Sequence, residues 1–320
     1  MSRRFDVAVM HDYYVDRLVH VDSFERLARV VSAKKTAGGG GIHGSNQEDV
    51  RGGNAVNLAN ALARLGMRTL LITHSDAPHE PLLREAFEGL DAEVRVKPLP
   101  AALTVAFEER VNVMLGDEKG ASDFGPSLLD ESDWEALRSS RVVCSVNWAA
   151  NRQGTRLLLA LRKRLGREKT IFLDPADFRD NLGGFAEVLH LVTEKQVVDW
   201  LSMNELEAAA AAELLGLKGR LPEEICLQVA RSLGVVFDLH GTKMSFSSDG
   251  TRVTRAAARH VKTMSLTGAG DAWDAGAIRG RLMGLDEAHR LRFANAAARL
   301  YLLSRNHIPP TLEQVREAMR

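Results

Sequence analysis

Leu266-Thr267-Gly268-Ala269-Gly270-Asp271-Ala272-Trp273 is the stretch on which the reading of this chain turns. A helix-compatible run follows it to Leu282. Gly268 and Gly270 carry no Cβ, so the backbone can turn sharply there and approach a ligand closely. The first amides of the helix, around Ala269, Gly270 and Asp271, then lack intrahelical acceptors. Together with the helix dipole they make an anion site suited to phosphate. A carboxylate repels phosphate, so Asp271 is out of place if binding is the only task. It fits if Asp271 takes the proton from a hydroxyl that attacks phosphorus. On this stretch alone, a Thr/Gly turn with a favourable first-turn acid explains the residues equally well.

A distant stretch changes the balance. Arg51-Gly52-Gly53-Asn54-Ala55-Val56-Asn57 runs on to Leu65-Gly66, with Val56, Ala59, Leu62, Ala63 and Leu65 at helical spacing. Gly66 stops the helix. The glycine pair lets the helix start lie close to another group. Asn57, in the first turns, both donates and accepts, which suits a vicinal diol. Read plainly, Asn54, Asn57 and Asn60 are polar surface positions.

The rest of the chain alternates between strand and helix patterns. Strands are expected at Phe5–Met10, Tyr14–Val21, Leu27–Thr36, Arg68–Thr73 and Ala92–Pro98, and from Thr104 to Leu115 a period of two suggests a two-stranded unit with one wet face. From Leu128 onward helices and strands alternate: Leu128–Ser139, Arg141–Val146, Gly154–Leu165 and Thr170–Asp174. Then come a helix near Phe185–Leu189, a strand-like His190–Thr193, a polar break, helices Asn204–Leu217 and Pro222–Leu233, strand Gly234–Leu239 and a hairpin over Met244–Val253. Helices Asp286–Ser304 and Thr311–Met319 close the chain. This order predicts right-handed crossovers and a largely parallel sheet, with ligands beyond the carboxyl ends of its strands.

Composition narrows the chemistry. At 320 residues with 42 basic and 42 acidic side chains, no global basic field draws the chain to nucleic acid or an anionic membrane. No apolar run reaches a transmembrane length and no secretory core forms near the start, so a cytoplasmic protein is expected. Cys144 and Cys226 read as small buried hydrophobes. Gly39, Gly41 and Gly44 form a GxGxxG that opens no helix, and GxxxxGK[ST], HExxH, CxxC and GxSxG are absent. His240 and His260 read as local rather than metal-binding residues.

Taken together, the two glycine stretches resemble the ribokinase or PfkB family of carbohydrate and nucleoside kinases. Gly52-Gly53 followed by Asn57 and Leu65-Gly66 resembles its first signature. Thr267-Gly268-Ala269-Gly270-Asp271, with Trp273 and Gly276, resembles its second. The resemblance implies one domain over residues 1–320, a three-layer α/β/α fold with a largely parallel central sheet, and a small β lid from segments about 14–37 and 101–124. It implies Asp271 as catalytic base and the backbone of Gly268, Ala269 and Gly270 as anion hole. Asp16, Gly52, Gly53 and Asn57 would bind the substrate. Asn204 and Glu207 resemble the NxxE element that holds magnesium near the phosphates through water. Thr267, His240, Gly241 and Asn295 would line the nucleotide site, and Asp174-Pro175 resembles a recurrent element of the central sheet. The implied cofactors are Mg2+ with ATP or ADP as donor. The implied acceptor is a sugar, a sugar phosphate such as ribose 1-phosphate, or a nucleoside. In the family the lid often mediates dimerisation.

The chain departs from the pattern in four places. His11-Asp12 stands where a glycine usually follows the first strand. Ser265 replaces an acidic residue that helps a monovalent-cation site in many relatives. His240-Gly241 alters the usual strand end, and Ala176 follows Asp174-Pro175 in place of Asn. Lys34, Lys35, Arg110 and Arg179 are candidates to meet an acceptor phosphate, although solvated surface charge accounts for each. The rival reading is a sugar- or nucleoside-binding regulator that keeps the fold without catalysis.

Overall fold

The computed structural model describes residues 5–109, 112–259, 261, 267–304, 306 and 308–320. In chain order its elements are β1 (Val7–His11), β2 (Tyr14–His20), α1 (Phe24–Thr36), β3 (Gln47–Gly52), α2 (Asn54–Arg64), β4 (Thr69–His74), α3 (Glu80–Glu85), β5 (Ala92–Lys97), β6 (Ala102–Glu108), β7 (Asn112–Asp117) and α4 (Lys119–Ser122). Then follow α5 (Glu131–Ser139), β8 (Val142–Val146), α6 (Gly154–Leu165), β9 (Thr170–Asp174), α7 (Leu182–Lys195), β10 (Trp200–Asn204), α8 (Glu205–Leu214) and α9 (Pro222–Leu233). The last are β11 (Val236–His240), β12 (Met244–Ser248), β13 (Val253–Ala257), α10 (Ala269–Leu282), α11 (Glu287–Leu303) and α12 (Leu312–Ala318).

Nine strands form the main sheet in the order β13-β12-β11-β10-β9-β8-β1-β4-β5. It is parallel from β11 to β5, and β12 and β13 join as antiparallel edge strands. Its strands are buried on both faces, and successive residues go to opposite cores. Ala8, Met10, Ile171, Leu173, Leu201, Met203, Phe237 and Leu239 pack with α5–α9 on one side. Val7, Val9, Val142, Cys144, Phe172 and Trp200 pack with α2, α10 and α11 on the other. Strand order reverses direction at β1 and β8, which puts the ligand crevice at their carboxyl ends. A second sheet, β3-β2-β6-β7, stands apart from the first and contains one parallel pair, β2 with β6.

Three local readings are corrected. Leu27–Thr36, expected as a strand within the first lid segment, is the helix α1. Ser23 caps it by accepting from the Arg26 amide, and none of its residues is buried, so its branched apolar side chains report no packing face. The polar stretch Ser45–Asp49, from which no element is expected, runs into strand β3 (Gln47–Gly52), paired to β2 along its length. His190–Thr193 belongs to α7, and the strand lies instead at Trp200–Asn204.

Candidate active site

Asp271 occupies the first turn of α10, 5 % exposed. The helix begins after Gly268, whose φ of 79° lies in the left-handed region that glycine tolerates. A Cβ there would also run into the Tyr301 hydroxyl. The amides of Ala269, Gly270 and Asp271 thus open the helix without intrahelical acceptors. Both carboxylate oxygens of Asp271 are held from α2. Asn54 Nδ2 donates to Oδ1 at 3.1 Å and Asn57 Nδ2 to Oδ2 at 3.1 Å. Burial raises the Asp271 pKa well above the ordinary range and the charge of Asp174 adds to it, while the two amide donors pull the other way.

The α2 end is fixed from the centre of the main sheet. Gly53, with φ 98°, caps the helix without a side chain, and a Cβ there would stand 2.8 Å from the Asp12 carbonyl oxygen. The missing cap comes from Asp12, fully buried just beyond β1. Its oxygens accept from the Asn54 amide at 2.8 Å and the Ala55 amide at 2.9 Å, and from Asn147 Nδ2 beyond β8 at 2.9 Å. The departure at His11-Asp12 is therefore a remote N-cap placed at the point where strand order reverses. His11 itself is buried against Phe124 and stays neutral, its pKa lowered to about 4 by burial.

Asp16, on β2, pairs with Val50 of β3, and its carboxylate lies diagonally over Gly52. A Cβ on Gly52 would overlap its carboxylate, so the glycine makes the room. Burial raises its pKa to about 6, against the hydrogen bond with Thr104 on β6. Arg51, which sequence reasoning passed over, connects the two halves. It donates to Asn57 Oδ1 at 2.7 Å and to Asn60 Oδ1 at 3.2 Å, and it feels the charges of both Asp271 and Asp16. Tyr301 feels the same two carboxylates.

Asn204 and Glu207 form a capping box at the start of α8. Asn204 Oδ1 accepts from the Leu206 and Glu207 amides, and Glu207 accepts from the Asn204 amide and side chain. Glu207 is pushed up to about 8 by burial and by Asp174 nearby. Asp174 is raised by burial and interacts with Asp274, which also accepts from Ser202 Oγ at 2.6 Å. Asp274 is a further acid in the Asp271 helix that the sequence reading did not single out.

Comparison with known proteins decides the family. Residues 15–314 match the family model described as pfkB family carbohydrate kinase. This chain is a member of the pfkB family. Its fold is ribokinase-like: it superimposes on a ribokinase from Thermotoga maritima with a TM-score of 0.78 at 20 % identity, covering 98 % of this chain and 99 % of that one. A ribokinase from Arabidopsis thaliana complexed with ribose and ATP gives 0.75 at 21 % identity, covering 100 % and 99 %. An adenosine kinase from Sinorhizobium meliloti gives 0.78 at 18 %, covering 99 % and 98 %. The search of curated proteins found no match.

Not every residue named for this pfkB chain points into the crevice. His240 packs behind the α10 start, its ring 5.1 Å from that of Trp273 and its Cε1 3.5 Å from where a Gly270 Cβ would be. Burial lowers its pKa to about 4, so it is neutral there. Gly241 leaves room for the Glu205 carboxylate. Both polar atoms of the Asn295 side chain are engaged: Oδ1 accepts from Trp273 Nε1 at 2.8 Å and Nδ2 donates to the Ala257 carbonyl at 3.2 Å. Asn295 borders a cleft of about 330 Å3 shared with Arg259, Arg292 and Arg299. Lys34 and Lys35 end the exposed helix α1, and Arg179 is engaged by its neighbour Asp177 at 2.6 Å. Arg110, His260, Ser265 and Leu266 lie outside the described residues. Among the described residues no helix is long and apolar enough to cross a membrane.

Proposed function

We propose that this chain transfers the terminal phosphoryl group of ATP to a hydroxyl of a sugar, sugar phosphate or nucleoside, with Asp271 as general base. The observation that carries the reading is the hold on Asp271. Two amide side chains from α2 fix its carboxylate at the mouth of an anion-binding helix start. As the acceptor oxygen attacks phosphorus, its proton passes to Asp271. Charge growing on the phosphoryl oxygens meets the amides of Gly268, Ala269 and Gly270. Burial raises the affinity of Asp271 for a proton, as a base that takes one from a hydroxyl requires. Asp16, with Gly52, Gly53 and Asn57, orients the acceptor hydroxyls, and the second sheet excludes water as a lid. Strand β7, at the edge of the second sheet, exposes Val113 and Leu115 on one face and Met114 on the other, an apolar edge suited to a second copy of the chain.

The donor reading leans on the Arabidopsis ribokinase, whose structure holds ribose and ATP. Magnesium fits the acids present. Among the described residues no three His, Cys, Asp or Glu side chains group closely enough to hold a metal alone. Asp174, however, is close enough to Glu207 for its charge to raise the Glu207 pKa. A magnesium carrying waters and phosphate oxygens suits such a pair, with Glu207 acting through water, and would neutralise the donor phosphates. An activity screen over sugars, sugar phosphates and nucleosides, each with ATP and with ADP, tests the proposal. Ligand-induced stabilisation without nucleotide consumption would replace it with the binding-regulator reading.

A further inference from the structure

Arg51 is the anomaly of the site. Arg51 is partly buried, yet among the described residues no carboxylate lies within salt-bridge distance of its guanidinium. It donates instead to two neutral amide oxygens, Asn57 Oδ1 and Asn60 Oδ1. Its environment is made worse by Arg64, one helix face further along α2, which repels it and which itself donates to the Pro309 carbonyl. Burial lowers the Arg51 pKa despite the more distant charges of Asp271 and Asp16. A buried cation without an anion is costly, and a bound anion is what relieves it. The guanidinium also presents a planar fork that matches phosphate and carboxylate oxygens.

The position of Arg51 says which ligand that anion belongs to. The phosphoryl group in transfer already has the amides at the start of α10. Arg51 is bonded to Asn57, which also donates to Asp271 and which the kinase reading sets beside the acceptor hydroxyls. Among the described candidates for an acceptor anion, Arg179 is engaged by Asp177, and Lys34 and Lys35 end a helix with no buried residue.

We infer that the acceptor is anionic, carrying a phosphate or carboxylate that Arg51 binds while its hydroxyl faces Asp271. The inference rests on the kinase reading for the orientation of the acceptor, but its test does not require turnover. Matched pairs separate the two sources of the anion: a pentose or hexose phosphate against its parent sugar, and a sugar acid against its parent sugar. Binding is read by thermal shift and calorimetry without nucleotide, and turnover is read separately. One anionic member should bind on the order of 100-fold more tightly than its neutral partner. That preference should collapse to less than ~10-fold in Arg51→Gln and survive in part in Arg51→Lys, which keeps the charge but loses the fork. Neutral sugars binding as well as charged ones, a preference that outlives Arg51→Gln, or no binding of any anionic sugar would each overturn the inference. Phosphorylation of a neutral sugar as efficient as that of any anionic one would leave the kinase standing and sink this proposal. Arg51-dependent anion binding without nucleotide consumption would do the reverse.

Discussion

Asn54 and Asp271 are separated by 217 positions in the chain, yet Asn54 Nδ2 stands 3.1 Å from Asp271 Oδ1. That contact fixes the α2 start to the α10 start, with Asn57 holding the second oxygen. Both donors favour the ionised carboxylate and hold its pKa below where burial alone would put it. Removing one raises the pKa further. The base then loses its proton only at higher pH, so the acid limb of kcat/KM moves up. Asn54→Ala should show this shift with a loss of about tenfold in kcat, in line with one charge-assisted hydrogen bond. An acid limb that stays in place would show that Asn54 has no part in tuning the base.

The ligand-free protein should gain stability as pH falls from about 8 to about 6.5. Glu207 has its pKa raised to about 8 by burial and by Asp174. Above its unfolded value the folded state therefore holds the extra proton, and stability is lost as pH rises through the folded pKa. Asp16, raised to about 6, adds to the same trend lower down. Below about 6.5 His11, His74 and His240, each lowered to about 4, oppose this trend because the unfolded chain takes up protons that the folded chain refuses, while Asp12, Asp174, Asp271 and Asp274, raised by burial, reinforce it. Melting temperature should rise as pH falls from about 8 to about 6.5, and Glu207→Gln should flatten that rise. An unchanged rise in that variant would contradict the assignment.

Arg290 and Asp238 form a fully buried pair, with contacts of 2.7 Å through both guanidinium nitrogens. Burial alone would raise the Asp238 pKa, and the charge and hydrogen bonds of Arg290 outweigh it and hold it low. Trp200 Nε1 also donates to this carboxylate, at 2.9 Å. Arg290→Met should cost about 3–5 kcal/mol, measured by urea unfolding, because it strands a buried carboxylate. The double variant Arg290→Met/Asp238→Leu should recover most of that loss. A single variant within ~1 kcal/mol of wild type would show the pair to be energetically idle.

What could be read from the sequence depended on where each residue's signal resides. The glycines at 52, 53 and 268 are legible because backbone geometry and close approach demand them. The buried parallel strands are legible because they face two cores. Strand β3 was not, since its outer residues are exposed and polar and only pairing with β2 makes it a strand. Helix α1 was misread because Val30 and Val31 favour strands and nothing buries a face of the helix. Asp12 and Arg51 act through contacts with α2, β8 and α10, and no local spacing announces such roles. Asn295 shows the converse: the resemblance implies a residue lining the nucleotide site, and its amide is bonded to Trp273 and Ala257.

The central claim, that Asp271 accepts the acceptor's proton, is tested most directly by the turnover of Asp271→Asn on the best acceptor from the screen. The account predicts a fall in kcat of roughly 10²–10⁴-fold. The melting temperature of the variant is measured alongside, because one of the two Nδ2 donors then faces an amide NH2 in place of an acceptor. Turnover within a few-fold of wild type, in a folded variant, would contradict it.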